Sequence, residues 1–297
     1  MARKLIVPGL KIDPSAPKLA TIDQAMPEAG MIAFIEPGHP YAPFTGALAT
    51  GSYLPNLGID QAKAQAALAA STGDNAYRPA LSFLGAAPTI LERSAKGGIH
   101  VAPSRSVASG LQIGYVGNSR PNNEQAFGTW LQTVAGHSFY VAQWGRWTRL
   151  LPALGTGGYQ LSQIGGSNSL GALFARGAGQ SGEVAYPTGG TQRLGVSSEN
   201  VVPVAQLSPF FVDAAWVPNL SPAPTNIPVS WRTQMNNAGE ADKTPAWVLY
   251  DWVIEDLTVS GRSYAQAHAA WFAKYTRDVK TAGGRYFGDT VPTTPAA

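Results

Sequence analysis

The chain has 297 residues, 44% of them hydrophobic and only 13% charged, about half the usual charged share of ~25%. That apolar content, with 8 Trp, 11 Tyr and 10 Phe, excludes a disordered chain. The net charge of +3 is spread without a Lys/Arg run, so neither nucleic acid nor an anionic membrane is an expected partner; the absence of cysteine excludes disulfides, thiolate catalysis and cysteine-ligated zinc.

The first residues, Met1-Ala2-Arg3-Lys4-Leu5-Ile6-Val7, begin like a secretory leader. Pro8 and Gly9 then break the apolar run short of the ~7–15 residues a signal peptide needs. No stretch approaches the ~20 apolar residues of a membrane span. The expectation is a soluble protein made in the cytoplasm. Residues 1–58 read as an extended docking arm. Prolines at 8, 14, 17, 27, 37, 40, 43 and 55 fix φ and remove ladder donors, so regular structure there must be short. Leu5, Ile6, Val7, Leu10, Ile12, Leu19 and Ile22 are apolar with no complement nearby, and they form the expected partner-binding surface. Met31 to Ile35 is a strand candidate. Two readings stay open: the arm wraps its own domain, or it threads onto a neighbouring subunit. A structureless segment this long is unusual inside a compact domain unless it is functional or partner-bound.

Residues 59–98 read as a short helix and linker. The helix is Asp60 to Ser71, with Asp60 as N-cap and Gly73 as terminator, and 72–98 reads as irregular. From residue 99 to 297 the pattern is short strands separated by Gly, Asn, Ser and Pro. The strand candidates are Ile99–Val101, Leu111–Val116, Ser138–Leu151, Leu170–Ala175, Arg193–Val196, Val201–Leu207, Phe210–Ala214, Val229–Met235 and Ala246–Val259. With 33 Gly and 23 Pro and no internal repeat, this predicts an all-β chain, a jelly-roll β-sandwich with an extended N-terminal arm.

Two strands anchor that prediction. Residues 138–149, Ser-Phe-Tyr-Val-Ala-Gln-Trp-Gly-Arg-Trp-Thr-Arg, place Trp144 and Trp147 on opposite faces unless a bulge sits at Gly145. Residues 245–260 are mostly apolar on both faces and rich in β-branched and aromatic side chains, which predicts a long central strand covered on both sides, or one with a wet end at Glu255 and Asp256. At period two, Trp247, Leu249, Asp251, Val253 and Glu255 share one face. Ser263 to Lys280 follows as an amphipathic C-terminal α-helix, with Ser263 and Gln266 as a capping box.

Catalytic patterns are weak. Asp251 and Glu255 lie roughly 13 Å apart along an extended strand, too far for the ~5–5.5 Å of a retaining glycosidase, and Glu255 and Asp256 face opposite ways. The simpler expectation is that these acids pair with arginines such as Arg146 or Arg149. His39, His100, His137 and His268 lack metal-ligand spacing and read as surface or packed residues. No Gly-x-Ser-x-Gly elbow or phosphate loop occurs, and Gly155-Thr-Gly-Gly-Tyr-Gln lacks the third glycine of a dinucleotide loop. No catalytic residue, metal or cofactor is expected. The functional alternative is glycan binding, for which Asn118, Asn122, Asn123, Trp130, Tyr159, Asn168 and Tyr186 supply aromatics and amides; turns and cores use the same residues.

Residues 250–267, Tyr-Asp-Trp-Val-Ile-Glu-Asp-Leu-Thr-Val-Ser-Gly-Arg-Ser-Tyr-Ala-Gln-Ala, followed by Gly-Gly-Arg-Tyr-Phe-Gly-Asp-Thr at 283–290, resemble virion proteins of tailed bacteriophages that carry a concanavalin A-like jelly roll. Residues 138–149 fit the same kind of domain, and the resemblance spans roughly 99–290. It carries no catalytic motif. It implies a structural or attachment role in a phage particle: capsid decoration, head fibre or tail-fibre adaptor. Other virion proteins are then the expected partners, with homo-oligomerisation, as a trimer by fold-level analogy. A host-recognition module binding a surface glycan is the alternative, and an enzyme acting on polysaccharide ranks third.

Overall fold

Strand β13 (Ala246–Asp256) runs through the middle of the larger sheet, and all of its 11 residues are buried. The computed structural model describes residues 23–66, 73–83, 85–107, 109–115, 130, 133–134, 136–149, 192–201, 207–218 and 245–296; strand residues 159–164, 172–175, 185–188, 190–191 and 229–232 are described by their backbone. A strand apolar on both faces needs cover on both. Strand β6 (Phe139–Arg149) pairs with β13 along its length. On the other side β4 (Ile99–Ala102) takes Trp247–Leu249 and β1 (Met31–Ile35) takes residues from Trp252 to Glu255. The sheet continues outward through β11 (Pro209–Pro218) to β10 (Gly190–Glu199), and beyond β4 to β3 (Ile90–Arg93). A second sheet has the order β2 (Ala80–Phe83), β5 (Leu111–Gly114), β12 (Val229–Arg232), β7 (Tyr159–Ile164), β8 (Ala172–Ala175), β9 (Ala185–Thr188). Every pairing between these strands is antiparallel.

One apolar cluster draws on both sheets, with Trp147, Phe210, Trp247 and Trp252 from the larger and Leu81, Leu111 and Ile113 from the smaller. The other face of the larger sheet is covered by helix α3 (Tyr264–Tyr275), whose Ala267, Trp271 and Tyr275 pack on Tyr140, Trp144, Phe211 and Val253. The expected β-rich, antiparallel chain with a C-terminal helix is what the structure shows. Helix α3 opens with the predicted capping box between Ser263 and Gln266, and it ends in a π turn over Thr276–Lys280.

A bulge overturns the face assignment of β13. Leu249 is opposite Gly145 and Asp251 is opposite Trp144, so Tyr250 is the extra residue. Tyr250 and Asp251 therefore both project toward α3, and the face order inverts. Trp247, Leu249, Trp252 and Ile254 face the inter-sheet cluster, whereas Val248, Tyr250 and Val253 face the helix side. Gly145 was the position where a bulge could sit; the bulge forms on the partner strand opposite it, and Gly145 is what permits it. A Cβ at Gly145 would come within 2.0 Å of the Val248 carbonyl oxygen. Trp144 and Trp147 do fall on opposite faces, as predicted.

Strand β13 also ends earlier than predicted. Leu257–Ser260 forms a short helix, α2, because Asp256 Oδ1 accepts the N–H groups of Thr258 and Val259 and Gly261 closes the turn at φ 71°. The stretch 72–98, read as irregular, holds a 3₁₀ turn at Asp74–Tyr77 and contributes β2 to one sheet and β3 to the other. The strand predicted at Val201–Leu207 is not seen: Val201 and Leu207 lie outside strands, and 202–206 are outside the described residues.

Residues 23–58 belong to the body of the fold. The free edge of β1 is closed by side chains in place of another strand. Asn56 Oδ1 accepts Phe34 N–H (3.0 Å), and Nδ2 donates to the carbonyls of Ile32 and Tyr77 (both 2.9 Å). Helix α1 (Ile59–Ala66) continues the substitution, with Gln61 Oε1 accepting Met31 N–H (2.8 Å) and Gln65 Nε2 donating to Met31 O (3.1 Å). An exposed strand edge is a template for unwanted pairing; here it is fully occupied.

Candidate functional site

The acids of β13 are the natural place to look for chemistry, and none of them is wet. Asp251, Glu255 and Asp256 are each 0% exposed. Of the two readings of this strand, covered on both sides or wet at Glu255 and Asp256, the first holds: α2 and α3 fold back over that end. The expected pairing with Arg146 or Arg149 is corrected. Arg146 donates to the Asp289 carbonyl and Arg149 to the Pro103 carbonyl (3.0 Å), while the acids find partners on the C-terminal segment. Glu255 accepts from Ser260 Oγ (2.7 Å) and Trp271 Nε1 (3.2 Å), with Arg262 Nε at 3.4 Å. Burial raises its carboxyl above the ordinary value, against these contacts.

Because the bulge turns Asp251 to the helix side, it joins a buried charge cluster centred on Lys274. The Lys274 ammonium lies 2.6 Å from Asp278, 3.0 Å from Glu36, 3.3 Å from Asp23 and 3.9 Å from Asp251. Arg277 reaches Asp23 (3.0 Å) and Asp278 (2.7 Å), and Arg285 pairs with Glu36. Burial would hold Lys274 neutral, but Asp251, Asp23 and Asp278 outweigh it and raise its pKa, so it carries charge. Burial pushes Asp251 up to about 8, only partly opposed by Lys274. At neutral pH Asp251 therefore keeps its proton, and Lys274, Arg277 and Arg285 stand among Asp23, Glu36 and Asp278. Opposed partners at bonding distance are what make so dense a cluster tolerable, with Arg277 about half exposed at its rim.

A second buried carboxylate, Asp213 on β11, accepts from Tyr140 Oη (2.6 Å), His268 Nδ1 (2.7 Å) and Tyr264 Oη (3.0 Å). Burial raises its pKa despite these hydrogen bonds. The whole seam between sheet and α3 is thus polar at its centre and aromatic around it. Most of its groups are partnered by one another, the buried Asp251 carboxyl and Trp144 Nε1 being without a hydrogen bond. No group of three or more His, Asp or Glu among the described residues is arranged to hold a metal ion.

A cavity lies elsewhere, between α1, the turn before β1, and residues 130–137. Its volume is about 400 Å³, and Glu28, Gln65, Trp130, Val134, His137 and Val259 are among its lining residues. His137 Nδ1 stands 2.7 Å from Asp256 Oδ2. A carboxylate only accepts, so Nδ1 carries the hydrogen and Nε2 is the ring nitrogen left over. Gln65 spends its NH₂ on the Met31 and Gln61 carbonyls, which leaves Oε1 buried with no partner. Gly30, at φ 93°, lets the chain pass against α2, where a Cβ would meet Asp256 O at 2.7 Å.

Of the residues singled out for glycan contact, Trp130 lines this cavity. Tyr159 sits on β7, where the backbone alone is described; Asn118, Asn122 and Asn168 lie outside the described residues, as do Leu5, Ile6, Val7, Leu10, Ile12, Leu19 and Ile22 of the arm. The sequence reading missed that His100, His137 and His268 each pair with a carboxylate, Glu92, Asp256 and Asp213 in turn. These partners are 8, 119 and 55 residues away, so no local spacing announces the two long-range ones. Comparison with protein-family models, with curated proteins and with solved structures gives no match.

Proposed function

We propose that this chain is a structural component of a bacteriophage particle. In this reading the two sheets form a concanavalin A-like jelly-roll sandwich, displayed on the shell or tail and anchored by the N-terminal arm. One observation carries it. The residues in the two segments that resemble tailed-phage virion proteins are the residues that clamp the C-terminal segment to the larger sheet. Asp251 sits by Lys274, Glu255 by Ser260 and Arg262, and Asp256 caps α2 and holds His137. Ser263 caps α3, Arg285 pairs with Glu36, Tyr286 stacks on Tyr250 at 4.2 Å, and Asp289 accepts the N–H of Lys96 (2.8 Å).

The resemblance therefore rests on architecture. Polar side chains invested in rigidity, with little surface charge, suit a part repeated many times in a shell. Capsid decoration, head fibre and tail-fibre adaptor all use such a part, and each implies contacts with other virion proteins and with further copies of this chain.

The test is incorporation. Antibody raised against the purified chain should label intact particles produced from the genome that encodes it. The chain should also co-band with those particles on a density gradient at constant stoichiometry. Recovery of the chain in the soluble fraction alone would overturn the reading.

A further inference from the structure

We propose that the cavity between α1 and residues 130–137 binds one neutral sugar ring. This goes beyond the particle role and stands or fails independently of it. The cavity, about 400 Å³, is within the range of ligand pockets, roughly 300–1,000 Å³. Trp130, Val134 and Val259 give it an apolar wall, and Val259 is 40% exposed.

Acceptors dominate its polar lining, and the Gln61 amide is already bonded to the Pro27 carbonyl and the Met31 N–H. Gln65 Oε1 has no partner, His137 Nε2 has none among the described residues, and Glu28 adds an exposed carboxylate. Among the described residues no Lys or Arg lines the cavity, so a phosphate or carboxylate ligand finds no counter-charge from them. A wholly apolar ligand would bury Gln65 and His137 against nothing, which costs affinity. The acceptors sit on separate segments, α1 and the approach to β6. An ammonium can also reach acceptors on several segments, as Lys274 does, and is the rival occupant that the experiment tests. A pyranose spreads hydroxyl donors around its rim and offers a C–H face to the indole, so it fits acceptors and wall together.

The acceptors are also held in place. Asp256 fixes the His137 ring, and the Met31 and Gln61 carbonyls fix the Gln65 amide. Such preorganisation lowers the ordering cost of binding.

The experiment is saturation-transfer NMR on the full chain with glucose, galactose, mannose, rhamnose and N-acetylglucosamine as separate probes. At least one should receive saturation, with a Kd on the order of 1 mM, as befits a single small ring. Trp130→Ala should weaken it at least tenfold. Trp130 also packs against the inter-sheet core, so Ala64→Trp is the second variant. Ala64 is an exposed lining residue of α1, and a Trp there fills the cavity without disturbing a buried contact. It should abolish binding and leave the melting temperature unchanged. Three results would each overturn the proposal: no transfer to any probe, transfer that survives Ala64→Trp, or binding of n-butylammonium with none of any sugar.

Discussion

Asp251 stands 3.9 Å from the Lys274 ammonium, yet neither of its carboxyl oxygens has a hydrogen-bond partner. The bulge at Tyr250 delivers this acid to the charge cluster but does not bring it into bonding range. Burial then wins over attraction and holds the carboxyl protonated up to about 8.

That protonation has a sign. In the unfolded chain Asp251 ionises near 3.8, and in the fold near 8. Between those values the folded chain keeps a proton that the unfolded chain has lost. Its contribution to stability is complete below the lower value and is lost as the pH rises through the upper one. Asp251→Asn copies the shape of the protonated acid and does not titrate. Urea unfolding of both proteins should show the variant gaining on wild type by up to about 1.4 kcal/mol per pH unit from pH ~5 to ~7, then levelling above ~8. A difference that stays flat with pH would mean that Asp251 is ionised in the fold.

Gly145 is the other half of the bulge. With the Val248 carbonyl oxygen at 2.0 Å from the position of a Cβ, and backbone unable to swing aside as a side chain does, Gly145→Ala cannot be absorbed locally. Either β6 separates from β13 there, or the register shifts and returns Asp251 to the inter-sheet face, where Trp252 now packs. Overpacking in a core costs about 1–3 kcal/mol, and misplacing a buried charge adds to it. Gly145→Ala should therefore cost roughly 3 kcal/mol or more in urea unfolding, whereas Gly51→Ala, with nothing within 4 Å and only its φ of 85° to strain it, should cost about 1–2 kcal/mol.

This one-residue feature marks the boundary of what can be read from sequence. Period-two alternation located β4, β5, β6, β11 and β13, because long apolar runs bounded by turn residues have few other uses. It also found the capping box of α3. The same alternation placed Asp251 with Trp247, since an extra residue in one strand leaves no trace in composition. The helical turn after Asp256 was misread because Leu257, Thr258 and Val259 are good strand formers, and the decision rests on a cap made by a single carboxylate. Strands β2 and β3 are 4 residues each, as are β4 and β5, but they are only partly buried where β4 and β5 are fully so, and the apolar signal is weaker. The cavity joins residues 28, 65, 130 and 137, which nothing local connects; Trp130 alone stood out, as an aromatic.

Asn56 should be among the most sensitive positions in the chain. It is 5% exposed and its side chain satisfies Phe34 and Gly58 N–H together with the Ile32 and Tyr77 carbonyls. Asn56→Leu keeps the volume and takes this partner from the buried Phe34 and Gly58 N–H groups and the Ile32 carbonyl, while the Tyr77 carbonyl keeps Tyr115 Oη. Each orphaned group costs about 1–3 kcal/mol, so a loss of roughly 4 kcal/mol or more in denaturant unfolding is expected. Amide exchange would localise it, with faster exchange at Phe34 and Gly58 first. Unchanged protection at both would mean that other groups can close the edge of β1.

The role of the arm can be measured once its folded part is separated from the rest. A chain beginning at Gly58 loses Met31, Ile32, Phe34 and Ile35, each no more than 1% exposed, and uncovers the edge of β13 from Trp252 to Glu255. At about 1.5–3 kcal/mol per side chain the loss is roughly 6–12 kcal/mol, comparable to the whole stability of a domain at about 5–15 kcal/mol. That chain should show no cooperative thermal transition by circular dichroism, so its failure to assemble would say nothing about docking. A chain beginning at Asp23 keeps β1, Asn56 and the Asp23 carboxylate that meets Lys274 and Arg277. It should melt with the full chain. If Leu5, Ile6, Val7, Leu10, Ile12, Leu19 and Ile22 drive association, light scattering will give an oligomer for the full chain and a monomer for this one. Equal masses for the two would remove the arm from self-association.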